Sequence, residues 1–136
     1  YNEFKNDKIV LEKWFLIRSS YNNLYFDGIN SIKDVLKNKN FEYKNPNFVR
    51  AILGGFQNNN IELFHAKDNS GYKFVADQII LIDKINPQTA ARIITPMTNI
   101  SKFNNNTKNR IKKYLNLILK SNPSKDVFEV ISKSLN

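Results

Sequence analysis

His65 is the only histidine in a chain of 136 residues that contains no cysteine. Zinc centres take three or four ligands from Cys, His, Asp and Glu at set spacings, and one imidazole without a thiolate cannot supply the usual sets; no H-E-x-x-H is present. A nucleophilic triad fails on the same count, because the one candidate base follows Phe64 in a short apolar patch without a nucleophile motif. His65 is read as a packing or helix-end residue. Gly54-Gly55 lies inside Ile52-Leu53-Gly54-Gly55-Phe56, outside any phosphate-loop pattern, so close helix packing is its expected role. The pairs Asp7 with Glu12 and Asp77 with Asp83 are not spaced as an acid and a base, and are read as solvated faces or caps. No catalytic residue and no metal ligand is expected from this chain alone.

Two arginines stand apart. Arg50 follows Asn45-Pro46-Asn47-Phe48-Val49, and Arg92 follows Asn86-Pro87-Gln88-Thr89-Ala90-Ala91. In a stack of helix pairs, equivalent positions in successive units project from one face, where two guanidiniums form a cationic wall. The alternative is a pair of buried or bridging arginines that satisfy carbonyls and carboxylates within the stack.

The elements that position these residues are helical. Phe4, Ile9, Val10, Trp14, Phe15 and Ile17 recur at near three- and four-residue spacing, which predicts an amphipathic helix from about Glu3 to Arg18 with an aromatic buried face. Tyr21, Tyr25 and Phe26 fall in a connection, and a second helix is expected over Asp27 to Asn38, capped by Asp27, with Ile29, Ile32, Val35 and Leu36 inward. Asn45-Pro46, Asn86-Pro87 and Asn122-Pro123 each precede a stretch of helical periodicity. Asn caps the free amides of a first turn, and Pro at the first helical position has no N–H to leave unsatisfied.

The offsets between these three starts, 41 and 36 residues, are close to one helix-turn-helix unit. Tyr72 to Ile85 is apolar on most faces and reads as a central helix, with Gly71 supplying a positive φ just ahead of it. Thr107 to Lys120 carries Ile111, Leu115, Ile118 and Leu119 on one face, with Lys108, Arg110, Lys112 and Lys113 largely away from it. A final helix opened by Asn122-Pro123 bears Val127, Phe128, Val130, Ile131 and Leu135. Strand patterns are poor throughout. The fold class expected is all-α, with stacked antiparallel helix pairs in an α-solenoid-like arrangement of the HEAT/ARM kind.

Composition bounds the rest. Hydrophobic residues are 41% and charged residues 24%, as in an ordinary globular domain, and one domain over residues 1–136 is expected. The absence of cysteine favours a reducing compartment, the cytoplasm. No apolar run approaches the ~20 residues of a bilayer span, and Tyr1-Asn2-Glu3-Phe4-Lys5 is read as starting inside a larger protein. The net charge of +9 is spread along an Asn- and Lys-rich chain, and is read as compositional rather than as a binding tract. The rival to that reading is a helical-repeat scaffold for nucleic acid or an acidic protein, resting on the charge and on the basic segment Lys108 to Lys113.

Trp14-Phe15, Asn45-Pro46-Asn47, Phe64-His65, Gly71-Tyr72-Lys73-Phe74 and Asn86-Pro87-Gln88 with Arg92 resemble, in order and separation, the C-terminal domain of bacterial-type aminopeptidase N. The resemblance extends over essentially the whole chain. Arg18-Ser19 stands where that family often has Gln-Ala, and Phe48 where it often has a basic residue; neither departure touches Arg50 or Arg92. The resemblance implies a parent enzyme that removes N-terminal residues from peptides, with zinc held by an H-E-x-x-H and a distant Glu in a thermolysin-like domain that is not in this chain. It implies that the helical domain caps that catalytic domain of the same polypeptide and closes an internal cavity over peptide substrates, with no cofactor of its own. Arg50 and Arg92 would then face the cavity as donors to peptide carboxylates or carbonyls. Nucleic acid and membrane are not expected partners.

Overall fold

The computed structural model describes residues 7–20 and 29–135, and among them every regular element is helical. Phe4, Tyr21, Tyr25, Phe26 and the expected cap Asp27 lie outside the described residues. The chain divides into two compact units, residues 1–70 and residues 71–136.

The first unit contains α1 (Lys8–Ser20), α2 (Asn30–Leu36), α3 (Pro46–Asn59) and α4 (Ile61–Phe64). Asp7 starts α1: its Oδ1 accepts from the amides of Ile9 at 3.0 Å and Val10 at 3.3 Å. Asn45 does the same for α3, accepting from Asn47 at 3.0 Å and Phe48 at 3.3 Å, with Pro46 at the first helical position. The main contact of the unit is α1 on α3. Phe15 is fully buried there, edge-on to Phe48 at 5.1 Å and to Phe41 at 5.8 Å.

Small residues let α1 and α3 approach. A Cβ on Gly55 would come within 2.9 Å of Leu16 Cδ1, Ser19 Oγ and Ser20 Oγ, which confirms the packing role read for the glycine pair, although Gly54 itself meets nothing within 4 Å. Ser19 Oγ donates to Phe15 O at 2.7 Å and lies 3.3 Å from Ala51 O, and Asn60 Nδ2 donates to Ser19 O at 3.2 Å, so Ser19 and Asn60 find partners at the crossing. The expected inward face of α1 needs correction. Leu11 and Phe15 are buried, whereas Ile9 is 67% exposed and Ile17 59% exposed. The buried side is the one that carries Ser19 and Ser20, which a hydrophobic count overlooks.

The second unit holds α5 (Ser70–Ile85), α6 (Pro87–Ile93), α7 (Thr95–Thr98), a 3-10 turn (Ile100–Lys102), α8 (Asn105–Lys120) and α9 (Lys125–Leu135). Gly71 is the second residue of α5, and the positive φ, 65°, belongs to Asn69 instead. Asn86 caps α6 through Thr89 N at 3.2 Å, and Asn104 caps α8 through Thr107 N at 2.8 Å. Pro96 has no N–H to continue the α6 ladder, and the chain breaks into α7 there. The third Asn-Pro pair behaves differently from the expected cap. Asn122 adopts φ 61° in the turn after α8, and α9 opens two residues beyond Pro123, with Ser124 Oγ accepting from Val127 N at 3.3 Å.

The core of this unit is Tyr72, Phe74, Val75, Ile79 and Ile82 of α5 with Ile94, Met97, Ile111, Leu115, Ile118, Val127 and Ile131. Phe128, expected inward, is 51% exposed.

Candidate functional site

Arg50 sits in the second turn of α3 and is exposed; its Nη2 donates to Asn47 Oδ1. Asn47 is one residue past Pro46, so the segment that starts the helix also orients the guanidinium. Arg92 is in the last turn of α6, exposed, and makes no hydrogen bond or ion pair to another described residue. Within this chain neither side chain is buried, and neither pairs with a carboxylate of another described residue.

Arg92 lines a shallow groove of about 370 Å³ where α6 meets α9, together with Gln88, Ala91, Asp126, Glu129 and Val130. Glu129 Oε1 also lies 3.8 Å from Lys125 Nζ. One guanidinium therefore shares its groove with two carboxylates. Asp126 and Glu129 are supplied by α9, some thirty residues on in sequence, and no local motif ties them to Arg92. As a donor, Arg92 suits a carboxylate or carbonyl, and the flanking acids favour a group that also offers N–H donors, such as a peptide backbone.

The positions of the two arginines are not equivalent in their helices. Arg50 is five residues past its capping Asn and Arg92 six, which rotates one relative to the other by about 100° around the helix axis. Each belongs to a different unit of the chain.

Other polar groups take structural parts. His65 ends α4 with its ring 4.7 Å from Phe64, in the packing and helix-end position expected of it. Asp77 forms an exposed pair with Lys73 at 2.7 Å, and that pairing raises the lysine pKa. Asp83 is buried near the end of α5 and receives both the backbone N–H of Ser124 at 2.7 Å and the Ser124 hydroxyl, which fixes the entry to α9. Arg110 is half-buried with its guanidinium 5.0 Å from the Tyr72 ring centre, so one residue of the basic segment on α8 serves packing. Burial pushes the Tyr72 phenol above its ordinary value, and the neighbouring Arg110 charge partly opposes this.

Among the described residues, no group of three or more His, Cys, Asp and Glu is placed to hold a metal ion, and no helix is long and apolar enough to cross a membrane. The donor set of one half-buried imidazole and no thiolate does not fit a zinc centre.

Comparison with known proteins extends this picture. The family described as "Domain of unknown function (DUF3458_C) ARM repeats" matches residues 1–136. Aminopeptidase N of Haemophilus influenzae is 35% identical over 135 residues, which is 98% of this chain and 15% of that protein. Aminopeptidase N of Caulobacter vibrioides is 31% identical over 136 residues, 99% of this chain and 16% of its own length. The Escherichia coli aminopeptidase N is 27% identical over 135 residues, again 15% of its length. The crystal structure of Legionella pneumophila aminopeptidase A in complex with aspartic acid superposes with a TM-score of 0.90 at 33% identity, covering 99% of this chain and 16% of that one. The chain thus spans about 15% of the relatives it matches. The match along its whole length, in a chain whose described residues form nine α-helices, places it in the DUF3458_C ARM-repeat family, as a C-terminal domain of aminopeptidase N.

Proposed function

We propose that this chain is the non-catalytic closing domain of a zinc-dependent, cytoplasmic aminopeptidase that removes N-terminal residues from peptides. The observation that carries the reading is the end-to-end similarity of the chain to a small fraction of each of several full-length aminopeptidases. The zinc and the hydrolytic residues belong to the remainder of such a polypeptide, in keeping with a donor set here that does not suit the metal. The partners in this reading are the catalytic domain of the same polypeptide and the peptides enclosed between the two, with neither nucleic acid nor membrane involved.

Arg50 and Arg92 face the enclosed cavity in this proposal and draw the carboxylate end or carbonyls of a bound peptide. Both are exposed in this chain, and Arg92 makes no hydrogen bond or ion pair to another described residue. A hydrogen bond to a charged group contributes about 1.5–3 kcal/mol when well desolvated, and less at a solvated groove. Arg92→Ala in the full-length enzyme should therefore raise KM for short peptides by up to about tenfold while leaving an alanyl chromogenic amide nearly unchanged. Equal effects on the two substrates would refute the cavity role of Arg92.

A further inference from the structure

The net charge is unevenly distributed along the chain. Between Asp83 and Asp126 there is no carboxylate side chain and there are nine lysines and arginines, as many as the whole net charge of +9. α8 lies within that stretch, and its outer face carries only lysine and asparagine. At 3.6 residues per turn Asn105, Asn109, Lys112, Lys113, Asn116 and Lys120 fall within an arc of about 100°, turned away from the buried Ile111, Leu115 and Ile118. Lys112 is half-buried and the other five are exposed.

Nothing in the second unit balances these charges. Its four carboxylates are placed elsewhere: Asp77 pairs with Lys73, Asp83 holds Ser124, and Asp126 and Glu129 line the groove with Arg92. Lys112, Lys113 and Lys120 make no hydrogen bond or ion pair to another described residue. The charges also weaken the helix that carries them. Lys108 with Lys112 and Arg110 with Lys113 are like charges at helix-neighbour spacings, and no acid stands in the first turn to meet the helix dipole. An anion held on this face relieves that repulsion.

The chemistry of the face selects the anion. Asparagine amides both donate and accept, which matches the N–H and C=O groups of a peptide backbone, whereas a phosphodiester only accepts. The arc holds no aromatic ring on which bases could stack, and the one arginine of α8 lies over the buried Tyr72 ring. Lys112 and Lys120 stand about 12 Å apart along the helix, the reach of about four residues of an extended peptide. We propose that the outer face of α8 is a docking surface for an acidic peptide segment, with Lys112, Lys113 and Lys120 pairing with its carboxylates and Asn109 and Asn116 with its backbone. The surface is independent of the aminopeptidase activity proposed above, whose substrates are one source of such segments.

The test uses the full-length protein and an N-acetylated peptide of alternating Glu and Ala with a neutral dye at its end, followed by fluorescence anisotropy. Acetylation removes the free amine that an aminopeptidase acts on. Binding is expected, weakened about tenfold when Lys112, Lys113 and Lys120 are all replaced by Gln, and weakened likewise when the peptide carries Gln for Glu. The same number of charges removed at Lys33, Lys37 and Lys39, exposed residues of the first unit, should leave it unchanged. Absence of binding overturns the proposal, as does an equal loss in both triple variants. Tighter binding of duplex DNA or of phosphatidylserine vesicles, lost in the α8 variant, overturns the assignment to a peptide. Turnover of an alanyl amide, unchanged in the α8 variant, keeps the enzyme reading separate. A raised KM for an Ala-led acidic peptide identifies substrate as the source, and an unchanged KM with binding lost identifies a separate acidic protein.

Discussion

Adjacent glycines in the middle of α3 should respond to the same substitution with opposite signs. Gly→Ala in a helix interior ordinarily stabilises by about 1 kcal/mol, because alanine loses less backbone freedom on folding. At Gly54 a methyl group meets nothing within 4 Å, so most of that gain should be realised, about 0.5–1 kcal/mol. At Gly55 the methyl lies 2.9 Å from Leu16 Cδ1 and from the hydroxyls of Ser19 and Ser20. Leu16 can rotate away, but the serines sit on one-carbon stems and are tied to α1 carbonyls, so α1 itself must move. Overpacking of this kind costs about 1–3 kcal/mol, which leaves Gly55→Ala between neutral and about 2 kcal/mol destabilised. The two variants should thus differ by about 1–3 kcal/mol. Urea unfolding followed by the fluorescence of Trp14, the chain's one tryptophan and a residue of α1, reads this unit directly. Equal stabilisation by both substitutions would show that α1 and α3 do not approach as closely as described.

Three further outcomes follow from the same geometry. Asn45→Ala should cost about 1 kcal/mol through the two amides it leaves unpaired, whereas Asn122→Gly should be neutral or stabilising because Asn122 holds a positive φ; urea midpoints decide both. Asp83→Ala should cost about 1–3 kcal/mol by stranding the Ser124 amide and hydroxyl, and should raise amide exchange at the start of α9. Tyr72 is held above its ordinary pKa of 10.0 chiefly by burial, so the unfolded chain ionises first as the pH rises. The stability it lends is complete below about pH 10 and is lost as the pH climbs through the higher folded value, and Tyr72→Phe should flatten that alkaline loss in thermal melts.

Much of the fold was legible because its signals are local. Asn45-Pro46 and Asn86-Pro87 carry cap and first-turn residue side by side, and both open helices where expected. Asn122-Pro123 shows the limit: the same dipeptide forms a turn here, because Asp83, distant in sequence, takes the Ser124 amide and sets the start of α9. The inward face of α1 was misplaced because periodicity counts apolar residues, while the close approach to α3 selects Ser19, Ser20 and Gly55. α7 and the 3-10 turn were too short to carry a period at all. Arg50 and Arg92 were singled out from sequence by their place after marked helix starts, either as a shared cationic face or as bridging groups, yet the one-residue difference in offset shows that they are not repeats of one position. The acids beside Arg92 come from α9, and only packing brings them to the groove.

The central claim, a non-catalytic domain of a zinc aminopeptidase, is tested most directly by measuring bound zinc and turnover of an alanyl chromogenic substrate for this chain and for the full-length protein side by side. Zinc and turnover in the full-length protein alone are the expected result. Stoichiometric zinc or turnover in the 136-residue chain, or a full-length protein with neither, would contradict it.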